Sequence, residues 1–347
     1  MPVAARRVFR LSLTVSLSLA CGYGLAMPLP FLAPVFALML TATPGPPMGL
    51  RSLLGLFVVI AVTLGVGLLL IPLLTRYPLS GLLLVAVGLF FSFYLTVNLG
   101  KGLVGTLLTV GITLISAAGT VSSALAVAVI YALLIGIGVA ILCQWVAYSL
   151  FTEPLGDKDA EQATAATPVP DRWIALRATL IVLPPYLLAL TNPSLYLPLI
   201  MKSVSLGQQG SEVTARSAGR ELLGSTFLAG CCAILFWFAL KIAPTLWLFF
   251  LWMLLFGIYF SAKLYQLIPT RHPASFWLNV ATTMLILLGP AVEDSANGRD
   301  PYAAFAVRMG LFIAVTLYAW TAIALLERLR ESRLRERISD TASMEYS

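Results

Sequence analysis

Apolar positions in this chain neither alternate nor leave a regular polar face. They run together in long blocks with short polar punctuation between them. A block of roughly 20 apolar residues forms a helix long enough for a hydrocarbon core of about 30 Å. The pattern predicts such blocks near 10–27, 30–43, 53–75, 79–97, 103–119 and 124–151. After a polar break, further blocks follow near 173–191, 194–206, 221–243, 245–266, 274–290 and 303–327. The second and eighth are short and proline-rich, with Pro28, Pro30 and Pro34 in one and Pro193 and Pro198 in the other. Backbone groups freed by proline at membrane depth need neighbouring helices or a wet cavity, so matched broken segments point to a transport pathway.

The expected fold class is therefore an all-α polytopic membrane protein of about twelve transmembrane helices, arranged as two parallel six-helix repeats. The divisions are 1–151 for the first repeat, 152–172 for a flexible linker, 173–327 for the second repeat and 328–347 for a basic tail. The linker, TEPLGDKDAEQATAATPVPDR, is acidic and rich in Ala, Thr and Pro, with almost nothing to bury.

Composition narrows the function classes. The 347 residues are 59% hydrophobic and only 11% charged, against roughly 25% charged in soluble domains. Mean hydropathy is +0.93. These values exclude a soluble enzyme, a nucleic-acid-binding module and a disordered scaffold. The net charge of +7 reflects orientation, because Lys and Arg gather at the ends of the apolar blocks. With both termini cytoplasmic, the inner side takes eighteen of the 22 basic residues, Lys202 among them; Arg76, Lys241, Arg299 and Arg308 fall outside. Localisation in a bacterial inner membrane is the expectation, with an uncleaved first helix behind Arg6, Arg7 and Arg10.

The scarce charges also expose a duplication. At an offset of 169 residues, Arg51-Ser-Leu-Leu-Gly55 falls on Arg220-Glu-Leu-Leu-Gly224. At the same offset Gly88, Phe91, Ser92 and Leu95 fall on Gly257, Phe260, Ser261 and Leu264. At an offset of 167, Arg10 meets Arg177. An even number of spans per half makes the repeat parallel, with substrate expected between the halves.

Enzyme motifs are absent from the sequence: there is no phosphate loop and no carboxylate pair within a block. The single histidine, His272, stands at a helix boundary. No cofactor or metal is expected, and Cys21, Cys143, Cys231 and Cys232 read as small packing residues. Arg51 and Arg220 are candidate contacts for a carboxylate, with positive-inside anchoring as the alternative. Phe90, Phe91, Phe93 and Tyr94 are expected to face Tyr259, Phe260, Lys263 and Tyr265, so Phe91, Tyr94 and Phe260 are candidate ring contacts. Lys263 either draws an anion or snorkels. Ser92 and Ser261 hydrogen-bond a ligand or a neighbouring helix. Glu221, beside Arg220, is the nearest acid for proton coupling, or half of a local ion pair. The tail pairs Glu331 with Arg335, as a solvated helix end or an anionic-lipid contact.

Three features together resemble the fusaric acid resistance (FUSC-like) superfamily, which includes aromatic acid exporters. They are the Arg-led first helix running into MPLPFLAPVFALMLTATPG, the Arg51…Gly55 helix start recurring at Arg220…Gly224-Ser-Thr226, and the two six-helix halves. The chain is most similar to the short, membrane-only branch. The resemblance implies efflux of aromatic carboxylates or related weak acids, working with a periplasmic membrane-fusion-type adaptor and an outer-membrane channel; a homo-oligomer stays open. The alternatives are a non-transporting assembly or regulatory subunit and a major-facilitator-type permease, although the loop TPGPPMGLR lacks the latter's charged signature. A reporter fused after Ser347 is expected to be active only in its cytoplasmic form; strong periplasmic activity would reverse the orientation.

Overall fold

The structure is a computed structural model that describes residues 2–45, 49–152, 172–212, 218–298 and 300–345. Every regular element among them is a helix. In the first half these are α1 (Val3–Gly24), α2 (Leu32–Ala42), α3 (Leu50–Arg76), α4 (Pro78–Asn98), α5 (Gly102–Val121) and α6 (Ser123–Leu150). In the second they are α7 (Arg172–Thr191), α8 (Pro193–Glu212), α9 (Gly219–Ile242), α10 (Leu246–Leu264), α11 (Ala274–Ala296) and α12 (Pro301–Glu345). Each predicted block corresponds to one helix. The linker expected at 152–172 lies, from 153 to 171, outside the described residues.

Nine of the described helices, α3–α7 and α9–α12, are long and apolar enough to cross a bilayer. This makes the chain an all-helical, polytopic membrane protein. The other three depart for local reasons. Arg6, Arg7 and Arg10 dilute the apolar character of α1, although its 22 residues reach about 33 Å. With 11 residues, α2 reaches only about 16 Å. Polar residues fill the second half of α8.

Helix α10 packs antiparallel to α1, with Gly257 against Ser12 and Phe249 against Tyr23, whereas α6 runs parallel to α2. At one end of the bundle the Arg10 guanidinium lies 4.3 Å from the Tyr148 ring centroid, and the Tyr265 hydroxyl donates to the Ala42 carbonyl at 2.9 Å. At the other end the Tyr23 ring meets Phe249, and its hydroxyl donates to the Gly289 carbonyl at 3.3 Å. Helix α1 therefore runs the full height of the bundle.

The packing has a regular plan. Exchanging each helix for the one six places along carries packed pairs onto packed pairs. The pair α1–α10 becomes α7–α4, α1–α6 becomes α7–α12, α2–α6 becomes α8–α12, and α3–α5 becomes α9–α11. The halves are thus interlocked, because the first helix of each is clasped by the fourth helix of the other. Within each half, a buried arginine ties the first helix to the last. Arg10 stacks on Tyr148 of α6, and Arg177 donates to Glu327 of α12 at 2.6 Å. A guanidinium taken from water is costly without such a partner.

Helices α5 and α11 form the centre. Their most apolar stretches are 72% and 78% buried, against 28% for α3, α4, α10 and α12, which present Leu54, Phe57, Leu79 and Leu255 outward. Close approach of α3 to α5 depends on missing side chains. A Cβ on Gly111 would stand 2.7 Å from the Thr63 carbonyl oxygen, and one on Gly67 would stand 2.5 Å from that of Gly111. The crossing coincides with a π-helical turn at Gly111–Ile115. Gly111→Ala is expected to destabilise the protein by about 1–3 kcal/mol. Gly65→Ala, where a Cβ meets nothing within 4 Å, is expected to be neutral or stabilising by up to about 1 kcal/mol. Thermal unfolding in detergent would compare the two, and equal effects would refute the close-contact reading.

Candidate functional site

The residues singled out from the sequence are spread over several places. The side chain of Arg51 lies outside the described residues. Arg220 is exposed in the π-helical turn Gly219–Leu223 that opens α9. Glu221 is half-buried beside it, and its carbonyl accepts from the Ser225 hydroxyl at 2.5 Å. Ser92 and Ser261 are buried, and each donates to the carbonyl four residues back, of Gly88 and Gly257. Lys263 donates to the Pro269 carbonyl at 3.0 Å and lies 5.8 Å from the Trp277 ring centroid.

The two aromatic groups do not face each other, which corrects the sequence-based expectation. Phe90 meets Phe91 and Tyr94 within α4, while Tyr259 meets Phe260 and, across to α11, Trp277. No ring pair among the described residues joins α4 to α10. The interlock is the reason, since it places α4 against α7 and α10 against α1. Phe91 is 57% exposed on the outer surface, whereas Phe260 is buried.

A cavity of about 120 Å³ instead opens where α2, α5, α8 and α11 meet. These helices are two pairs related by the six-place exchange. The relation extends to the wall: Thr106 and Ser275 stand 169 residues apart, as do Val110 and Asn279, and all four line the cavity. Met39, Met201, Val35 and Ile286 supply apolar surface, while Ser205, Gln208 and Thr282 supply polar groups. Gln208 donates from its amide to the Thr106 hydroxyl and so joins α8 to α5.

Behind this wall stands Lys202, fully buried midway along α8. Its Nζ donates to Thr283 Oγ1 at 2.8 Å and to Asn279 Oδ1 at 3.2 Å. Asn279 is the hub of the cluster. Its Oδ1 also accepts from Ser205 at 3.4 Å and Thr283 at 3.3 Å, and its Nδ2 donates to Ser225 Oγ at 2.6 Å. Assigning Lys202 to the inner surface by charge alone is therefore wrong. A lysine inside the apolar run 194–206 was the available signal, hidden because short broken blocks are read as boundaries.

A second correction concerns acids. Helix α11 continues past 290 to Ala296 and buries Asp294, which pairs with Arg308 of α12 at 2.6 Å. Arg308, read from sequence as an outer-side charge, is thus the half-buried partner of an acid, and Asp294 is an acid inside the fold that the shorter predicted block left out. Among the described residues no group of three His, Cys, Asp or Glu side chains is placed to hold a metal. All four cysteines are free.

Residues 7–147, covering most of α1–α6, match a family described as "Protein of unknown function (DUF2955)". That description carries no activity, and it does not conflict with the fusaric-acid-resistance resemblance. No curated protein and no solved structure matches the chain.

Proposed function

We propose that this protein carries small organic anions with an apolar, aromatic body across a membrane, through a site between two parallel six-helix repeats that together cross it twelve times. The observation that carries this reading is the cavity bounded by α2 and α5 of one half and α8 and α11 of the other. Sites between repeats, beside short or broken helices, are the usual arrangement in secondary transporters. The size suits a single ring, since an engineered cavity of about 150 Å³ takes up benzene. Methionine and branched aliphatic walls suit its faces, and the hydroxyls and amides at the rim suit a polar substituent.

The direction of transport, export across a bacterial inner membrane with both termini cytoplasmic, comes from the basic-residue bias and the resemblance to aromatic acid exporters. So does cooperation with a periplasmic adaptor and an outer-membrane channel. Arg51 and Arg220 then belong to the cytoplasmic approach to the site. Cells lacking the protein are expected to retain more labelled hydroxybenzoate-type acid than cells expressing it, measured after preloading. Equal retention across a panel of benzoates and cinnamates would overturn the proposal.

A further inference from the structure

Lys202 is an ammonium-bearing side chain with no surface exposure, yet no carboxylate among the described residues bonds it. The cluster around it consists of hydroxyls and one amide. Lysine is almost never buried this way without a counter-charge, because dehydrating an unpaired ion costs several kcal/mol even after relaxation. An ammonium has three protons to give. Two go to Thr283 and Asn279, and the third finds no acceptor among the described residues.

Asn279 connects this group to the cavity. It lines the wall, and its Oδ1 is the atom that holds Lys202 on the far side. Among the described residues the cavity lining contains no Asp or Glu, so a cation entering it would meet no opposite charge there. An entering anion would meet Ser205, Thr282 and the Asn279 amide, whose protons now go to Asn279 Oδ1, the Leu278 carbonyl and Ser225 Oγ and would have to turn toward it, with the ammonium one side chain behind them.

We propose that Lys202 is the anion-binding group of the cavity: a ligand carboxylate replaces Asn279 Oδ1 as its partner, and the displaced amide turns its Nδ2 toward the other carboxylate oxygen. This inference rests on the reading of the cavity as an organic-anion site and adds the group that recognises the charge. The ligand class is a monocarboxylate on one ring, and the ring's neutral amide counterpart lacks the charge the lysine needs. The halves contribute unequally. At the 169-residue offset that pairs Val110 with Asn279, Lys202 falls on Ala33, so among the described residues only one half places a charge here.

The test uses the full chain, purified in detergent, with benzoate and benzamide as probes. Lys202→Met keeps the aliphatic volume and removes the charge. It is expected to weaken benzoate binding at least about tenfold, leave benzamide binding within about twofold, and melt no lower than wild type. If Lys202→Met fails to fold, Asn279→Asp decides the matter, because it supplies a fixed counter-charge to Lys202. It is expected to fold and to lose benzoate binding to a similar extent. Wild-type affinity for benzoate in either folded variant would overturn the Lys202 assignment alone. Failure of the wild-type chain to bind any aromatic carboxylate would instead overturn the underlying reading of the cavity.

Discussion

The first helix of each half is buried by helices of both halves, and most of the architecture depends on that clasp. Helix α1 is held by α2 and α6 of its own half and α10 of the other, while α7 is held by α8, α12 and α4. Neither half can complete its packing alone. Van der Waals contact and hydrogen bonds, not exclusion from water, hold helices together in lipid, so the clasp must be close and its polar groups satisfied. Arg10 over the Tyr148 ring and Arg177 on Glu327 each give a buried guanidinium a partner on the last helix of its half. The same exchange brings α5 and α11 to the centre, where Gly111 and Gly67 permit backbone approach that a side chain would prevent.

Once the fourth helices are committed to the clasp, the space between the halves is left to α2, α5, α8 and α11. Three of these contain proline, Pro34 in α2, Pro198 in α8 and Pro290 in α11, and α2 is too short to fill the height of the bundle. A cavity results, and it is lined by counterparts, Thr106 with Ser275 and Val110 with Asn279. The departures from symmetry carry the chemistry. Where one half places valine the other places asparagine, and where one places alanine the other places Lys202. A fully symmetric apolar interface would pack well and recognise nothing, since apolar contact alone discriminates weakly between ligands that differ in charge.

Much of this was legible in the residues. Each apolar block became a helix, because in lipid every backbone group must be paired within its own segment. At the matched positions Arg10 and Arg177 each join a first helix to a last, and Ser92 and Ser261 each donate to the carbonyl one turn back. The candidate site was less legible. The aromatic groups of α4 and α10 looked like partners because they occupy matching positions, but positions that match in sequence need not touch. Their helices went to opposite clasps.

Lys202, Asn279 and Asp294 show where local pattern ends. Hydrophobic blocks, proline breaks and the distribution of basic residues determine by themselves that the chain is a bundle of membrane helices, because each is a property of a segment in contact with lipid or water. Whether a polar side chain within a block faces lipid, a neighbouring helix or a cavity depends on how helices distant in sequence are rotated and paired. Only the tertiary structure decided that Lys202 lies against Asn279 of α11 and Arg308 against Asp294, since the free energy of a buried charge is set by what surrounds it in three dimensions.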